Sequence, residues 1–199
     1  MLIAQIIVIL SEIVWLFPVL KQYRGRYGYY FLILATGDPL VSIFLKMHLL
    51  LPHAFHILVS IASLFAVAAA SSRKIKWGLF LPLLALSLFA GATLTKVPAR
   101  LITAGIQIII FLYLICQMVV FAGKHRYVSF FHILILTYQA SLIYKMINLV
   151  LVFQKGSLYF FSATAFEIVL GILFCIFTEE DNRFALQLKR IPVHRMRSL

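Results

Sequence analysis

The sequence predicts an all-α integral membrane protein, a seven-transmembrane helix bundle, and three observations carry that prediction. Of 199 residues, 63% are hydrophobic and only 12% charged, whereas about a quarter of an ordinary soluble domain is charged. The mean hydropathy is +1.03, so too little polar surface exists to coat a water-soluble globule. The apolar residues also fall into seven long runs with short polar breaks between them.

A helix needs about 20 mostly apolar residues to cross about 30 Å of hydrocarbon. Runs of that kind cover residues 2–20, 29–51, 53–70, 77–94, 101–121, 128–153 and 158–177. The breaks are 21–28, a corner at Pro52, 71–76, 95–100, 123–126 and 154–157. The second boundary is the least marked, because only Lys46-Met47-His48 and Pro52 interrupt residues 29–70; a re-entrant element there would make the count six. The first run lacks the basic start and small-residue cleavage site of a signal peptide, so it is read as a retained span. Residues 1–177 are thus expected to form the transmembrane domain and 178–199 a short basic tail.

Orientation follows from charge. The formal net charge is +12, from 18 Lys and Arg against 6 Asp and Glu. The loops after spans one, three and five and the tail hold 13 of the 18 basic residues, among them Lys21, Arg24, Arg26, Arg73, Lys74, Lys76, Lys124 and Arg126. The positive-inside rule places that side in the cytoplasm and the amino terminus outside. The expected location is the plasma (inner) membrane, multi-pass, with the lipid bilayer as the main partner. No basic stretch is long enough to form a soluble nucleic-acid-binding domain. Phe184, Leu186, Leu188 and Ile191 alternate with basic residues in the tail, which suits a segment lying along the inner headgroups.

An internal match points to a 3+1+3 parallel repeat. Arg26-Tyr27-Gly28-Tyr29-Tyr30-Phe31 pairs with Arg126-Tyr127-Val128-Ser129-Phe130-Phe131, and Ser42-Ile43-Phe44-Leu45-Lys46-Met47 pairs with Ser141-Leu142-Ile143-Tyr144-Lys145-Met146. In size and order this layout resembles the SWEET and PQ-loop group of small transporters. The resemblance stops there: Pro18 is followed by Val19 instead of Gln, and span five contains no proline. A retinal protein is excluded, because span seven has no lysine for a Schiff base.

Ionisable groups in hydrocarbon cost about 2.5–3.5 kcal/mol each on insertion scales, so each needs a reason. Glu12, Asp38 and Glu167 all fall inside spans. At about 1.5 Å per residue, Glu12 lies about 17 Å and Asp38 about 20 Å from the outer ends of their spans, near the midplane. Lys145 and Glu167 reach similar depths on consecutive spans, so an ion pair is expected between them. Thr36-Gly37-Asp38-Pro39 places glycine and proline in mid-span, a pattern that favours a broken or kinked helix carrying a carboxylate. Thr137, Tyr138 and Gln139 occupy the corresponding stretch of span six and are expected to face the same cavity. Gln107 and Asn148 read as interhelical hydrogen-bonding groups.

Cys116 and Cys175 lie in apolar runs without metal-ligand spacing. His53 and His56 share a helical face, but no HExxH or CxxCH motif is present, so no metal and no cofactor is expected. No Ser-centred nucleophile motif appears either, so the chain is not expected to be an enzyme. The function these residues favour is a small-solute or ion carrier, its substrate site built from Glu12, Asp38, Gln139 and Glu167. The alternative is a membrane sensor or assembly subunit acting through a membrane protein partner.

Overall fold

The computed structural model describes residues 2–46, 52–71, 85, 89, 96–151, 156–179 and 186–187. Six helices account for 90% of these residues: α1 (Leu2–Gln22), α2 (Gly28–Lys46), α3 (Pro52–Ser71), α4 (Lys96–His125), α5 (Phe130–Leu151) and α6 (Gly156–Ile176). Two stretches, Val97–His125 and Phe130–Asn148, are long and apolar enough to cross a membrane. The expected fourth span, 77–94, lies outside the described residues except for Ala85 and Phe89, both helical.

Local chemistry sets the helix ends. Pro52 opens α3, where its missing amide hydrogen costs nothing and its fixed φ suits the first turn. Lys21 sits in the last turn of α1, and Lys124 and His125 in that of α4, complementing the negative end of the helix dipole. Residues 96–100 and 123–125, expected as loop, are helical: the apolar run marks the hydrocarbon, and α4 continues past it at both ends. The break expected in mid-span two is also absent, for α2 runs through Pro39. Gly37 instead serves packing, since a Cβ there would lie 3.1 Å from Val59 Cγ1 on α3.

Each helix packs on its sequence neighbour, α3 on α4 included, and α1 packs on α6, so the six form a closed ring. The turn between α1 and α2 ties one end of this ring together. Gln22 Nε2 donates to the carbonyls of Phe174 (3.1 Å) and Phe177 (3.0 Å), satisfying oxygens at the end of α6. Arg26 Nε donates to Ala70 O at 2.6 Å, and its Nη2 donates to Gln117 Oε1 at 2.6 Å. The carboxyl-terminal ends of α3 and α4 therefore lie at the same end, which we call the basic end. These two helices run in the same direction.

Leu186–Gln187 forms a short strand, β2, antiparallel to β1 (Tyr127–Val128) in the connection from α4 to α5. Arg126, just before β1, has φ 63°, a left-handed conformation that turns the chain sharply there.

Aromatic rings fill the bundle above the basic end. Trp15 packs on Tyr138 with centroids 4.4 Å apart, and Phe31 on Phe174 at 4.9 Å; Phe131 joins Phe174 at 5.7 Å. These side chains, from α1, α2, α5 and α6, are all buried. Large apolar residues also face outward, such as Ile9, Ile13 and Phe17 on α1 and Ile109, Leu112 and Val120 on α4.

Candidate functional site

Lys145 on α5 and Glu167 on α6 are both buried, and Lys145 Nζ donates to Glu167 Oε2. Ser141, one turn before Lys145, donates to Glu167 Oε1 at 2.7 Å. Each carboxylate oxygen thus has a donor, which is what a buried charge requires.

A second network crosses the ring. Tyr30 on α2 donates to Gln139 Oε1 on α5 at 2.8 Å. Gln139 Nε2 donates to the backbone carbonyl of Gln107 on α4 at 3.1 Å and to its side-chain Oε1. Gln107 Nε2 in turn donates to Ser60 Oγ on α3 at 2.9 Å. One uncharged hydrogen-bonded chain therefore joins four helices.

Between these networks lies a cavity of about 90 Å³. A water needs at least about 10–15 Å³ of such space, so this one holds several waters or a solute of a few heavy atoms. All six helices line it: Glu12 and Trp15 of α1, Pro39 of α2, His56 and Ser63 of α3, Thr103 and Gln107 of α4, Tyr138 and Lys145 of α5, and Glu167 of α6. Trp15 and Tyr138 separate it from the basic end, where the aromatic layer begins. Four ionisable side chains, Glu12, His56, Lys145 and Glu167, line it together. The Ser63 hydroxyl is buried in its wall and makes no hydrogen bond among the described residues.

Of the residues expected at the site, Glu12 and Glu167 share this cavity with Lys145. Gln139 does not line it but stands one hydrogen bond away through Gln107. Asp38 is in α2 beside the lining Pro39, and its side chain lies outside the described part of the structure. Tyr138 lines the cavity, whereas Thr137 turns its hydroxyl to Ile133 O of its own helix, at 2.8 Å. Gln107 joins helices; Asn148 instead donates to Tyr144 O within α5, at 2.8 Å. Sequence reasoning passed over Ser60, Ser63 and Thr103. A small hydroxyl residue in an apolar run gives no signal by itself, although Ser60 and Ser63, three apart on α3, share a helical face.

Among the described residues no group of three or more His, Cys, Asp or Glu could hold a metal ion. No protein-family model matches the chain, and no curated protein or solved structure is significantly similar to it.

Proposed function

We propose that the protein is a multi-pass membrane carrier for a small polar solute or ion, with the central cavity as its solute site. The observation that carries this reading is the cavity itself: it is lined from all six helices and holds Glu12, Lys145 and Glu167 together. Membrane residence is supported by polarity that runs inside out. Gln107, Gln139, Lys145 and Glu167 are buried while the outer faces of α1 and α4 are apolar, the distribution lipid favours and water does not.

Seven crossings are supported by the parallel course of α3 and α4 together with the apolar run 77–94 that lies between them in the sequence. The basic end is then cytoplasmic and the amino terminus outside. A 3+1+3 repeat is supported by the paired segments 26–31 with 126–131 and 42–47 with 141–146.

Two carboxylates against one ammonium make the cavity favour a cation or an amine over an anion. Trp15 and Tyr138 add aromatic rings to the lining, a residue type that suits the same class of ligand. Lys145 pairs with Glu167, Glu12 lines the same cavity, and Ser63 offers the solute a hydrogen bond. Asp38 belongs to the proposed site on its sequence position.

The test has two stages. Purified protein in nanodiscs is first screened for solutes that raise its unfolding midpoint, using monovalent cations, small amines and amino acids. Proteoliposome uptake of a stabilising solute is then measured. Glu12→Gln and Asp38→Asn should each lower uptake at least about tenfold, a loss of about 1.4 kcal/mol of binding or barrier stabilisation. Full uptake by both variants would sink the site as drawn.

A further inference from the structure

The uncharged chain that crosses the ring has a direction, and it ends at the cavity. A backbone carbonyl can only accept, so the Gln139 amide atom that meets Gln107 O at 3.1 Å is its nitrogen. That contact orients the whole chain. Gln139 Oε1 faces Tyr30, which must therefore donate, and Gln139 Nε2 also donates to Gln107 Oε1. Gln107 is left with its nitrogen for Ser60, whose Oγ accepts at 2.9 Å. Each hydrogen is thus handed on toward α3. The Ser60 hydroxyl, 2% exposed and in the cavity lining, keeps its own hydrogen, and no described residue accepts it.

Ser63 stands one turn further along the same face of α3. Its hydroxyl is also 2% exposed, lines the cavity and has no hydrogen-bond partner among the described residues. Thr103 of α4, in the same lining, differs, because its hydrogen goes to Ala99 O at 2.9 Å. The α3 wall therefore offers the cavity two hydroxyl hydrogens. Buried donors almost always have an acceptor. Water meets that need until a solute displaces it, and the solute must then supply the acceptor itself.

We propose that the solute is a small amine that also carries an oxygen acceptor, as an amino alcohol does, and that Ser60 and Ser63 select it through that oxygen. The inference rests on the carrier reading above. Glu12 and Glu167 against Lys145 favour the amine, and the α3 hydroxyls add a second demand. A cavity of about 90 Å³ limits the solute to a few heavy atoms. A bare metal cation offers no acceptor and leaves both hydroxyl hydrogens unanswered.

The test compares ethanolamine with propylamine, which has a methyl group in place of the hydroxyl and the same number of heavy atoms. Dissociation constants are measured by titration calorimetry on the full chain in lipid nanodiscs. Ethanolamine should bind at least about tenfold more tightly, because a site built to hydrogen-bond a ligand oxygen rejects the analogue that lacks it. Ser63→Ala removes a hydroxyl that bonds to nothing else in the described structure. It should leave the unfolding midpoint of the free protein unchanged and cut the preference at least about threefold, the worth of one hydrogen bond. Equal affinities for the two amines in the unmutated protein would overturn the inference and leave the carrier reading standing. Binding of neither amine would overturn it together with the amine reading of the cavity. A Ser63→Ala protein that keeps the full preference would overturn the role given to Ser63.

Discussion

Tyr30 donates its phenolic hydrogen to Gln139 Oε1 at 2.8 Å, and both side chains are fully buried. The bond spans the ring, from α2 to α5, which are not neighbours within it. Tyr30→Phe keeps the ring volume but leaves a buried amide oxygen without that donor. A loss of about 1–3 kcal/mol follows from stranding a buried polar group. Thermal unfolding in detergent micelles would read it as a lowered midpoint. An unshifted midpoint would mean that the cross-ring chain contributes nothing.

The Lys145–Glu167 pair gives a sharper expectation. Removing one partner strands a buried charge, which costs about 3–5 kcal/mol in buried pairs, while removing both with apolar residues is often neutral. Lys145→Met alone should therefore destabilise strongly, and Lys145→Met with Glu167→Leu should recover most of the loss. Equal destabilisation by single and double variants would show that the two charges do not act as a unit.

Gly171 on α6 meets Val14 on α1 where the ring closes. A Cβ on Gly171 would lie 2.8 Å from Val14 Cγ1, closer than packed atoms tolerate. Gly171→Ala should cost about 1–3 kcal/mol, the usual range for overpacking a tight contact. Adding Val14→Ala should relieve it, and a double-mutant cycle on unfolding midpoints checks the coupling. Purely additive effects would contradict the close approach.

Much of this architecture was legible because long apolar runs state the helix positions directly. The described helices α1, α3, α5 and α6 lie on the runs that predict them. Glu12, Lys145 and Glu167 stood out because a charge inside an apolar run needs a reason. Residues 96–100 misled because polar composition marks the edge of the hydrocarbon, not the end of hydrogen bonding. Gly37 also serves close packing on Val59, a use that its place beside proline does not reveal. Gln22 and Arg26 look like a solvated turn in sequence and prove to bond the ends of α6, α3 and α4, because their partners are 44 to 155 residues away.

Alkaline pH should weaken the basic end through Tyr27. Burial is the main reason its phenol is raised from 10.0 to about 12, with Arg26 partly offsetting it. The raised value means that the folded state holds its proton more tightly than the unfolded chain. The contribution of Tyr27 is therefore intact below about pH 10 and is lost as the pH rises through about 12. Tyr27→Phe should flatten the fall in stability between those values. Parallel pH profiles for the two proteins would contradict this.

The central claim is that a polar cavity reachable by water lies inside a membrane-embedded ring. Ser63 tests it most directly, being buried in the bundle yet facing the cavity. In a chain carrying Cys116→Ala and Cys175→Ala, Ser63→Cys should react in proteoliposomes with a small, charged, membrane-impermeant thiol reagent. A stabilising solute should slow that reaction. Failure of the cysteine at position 63 to react, while Arg24→Cys at the basic end labels readily in detergent-solubilised protein, would contradict the account.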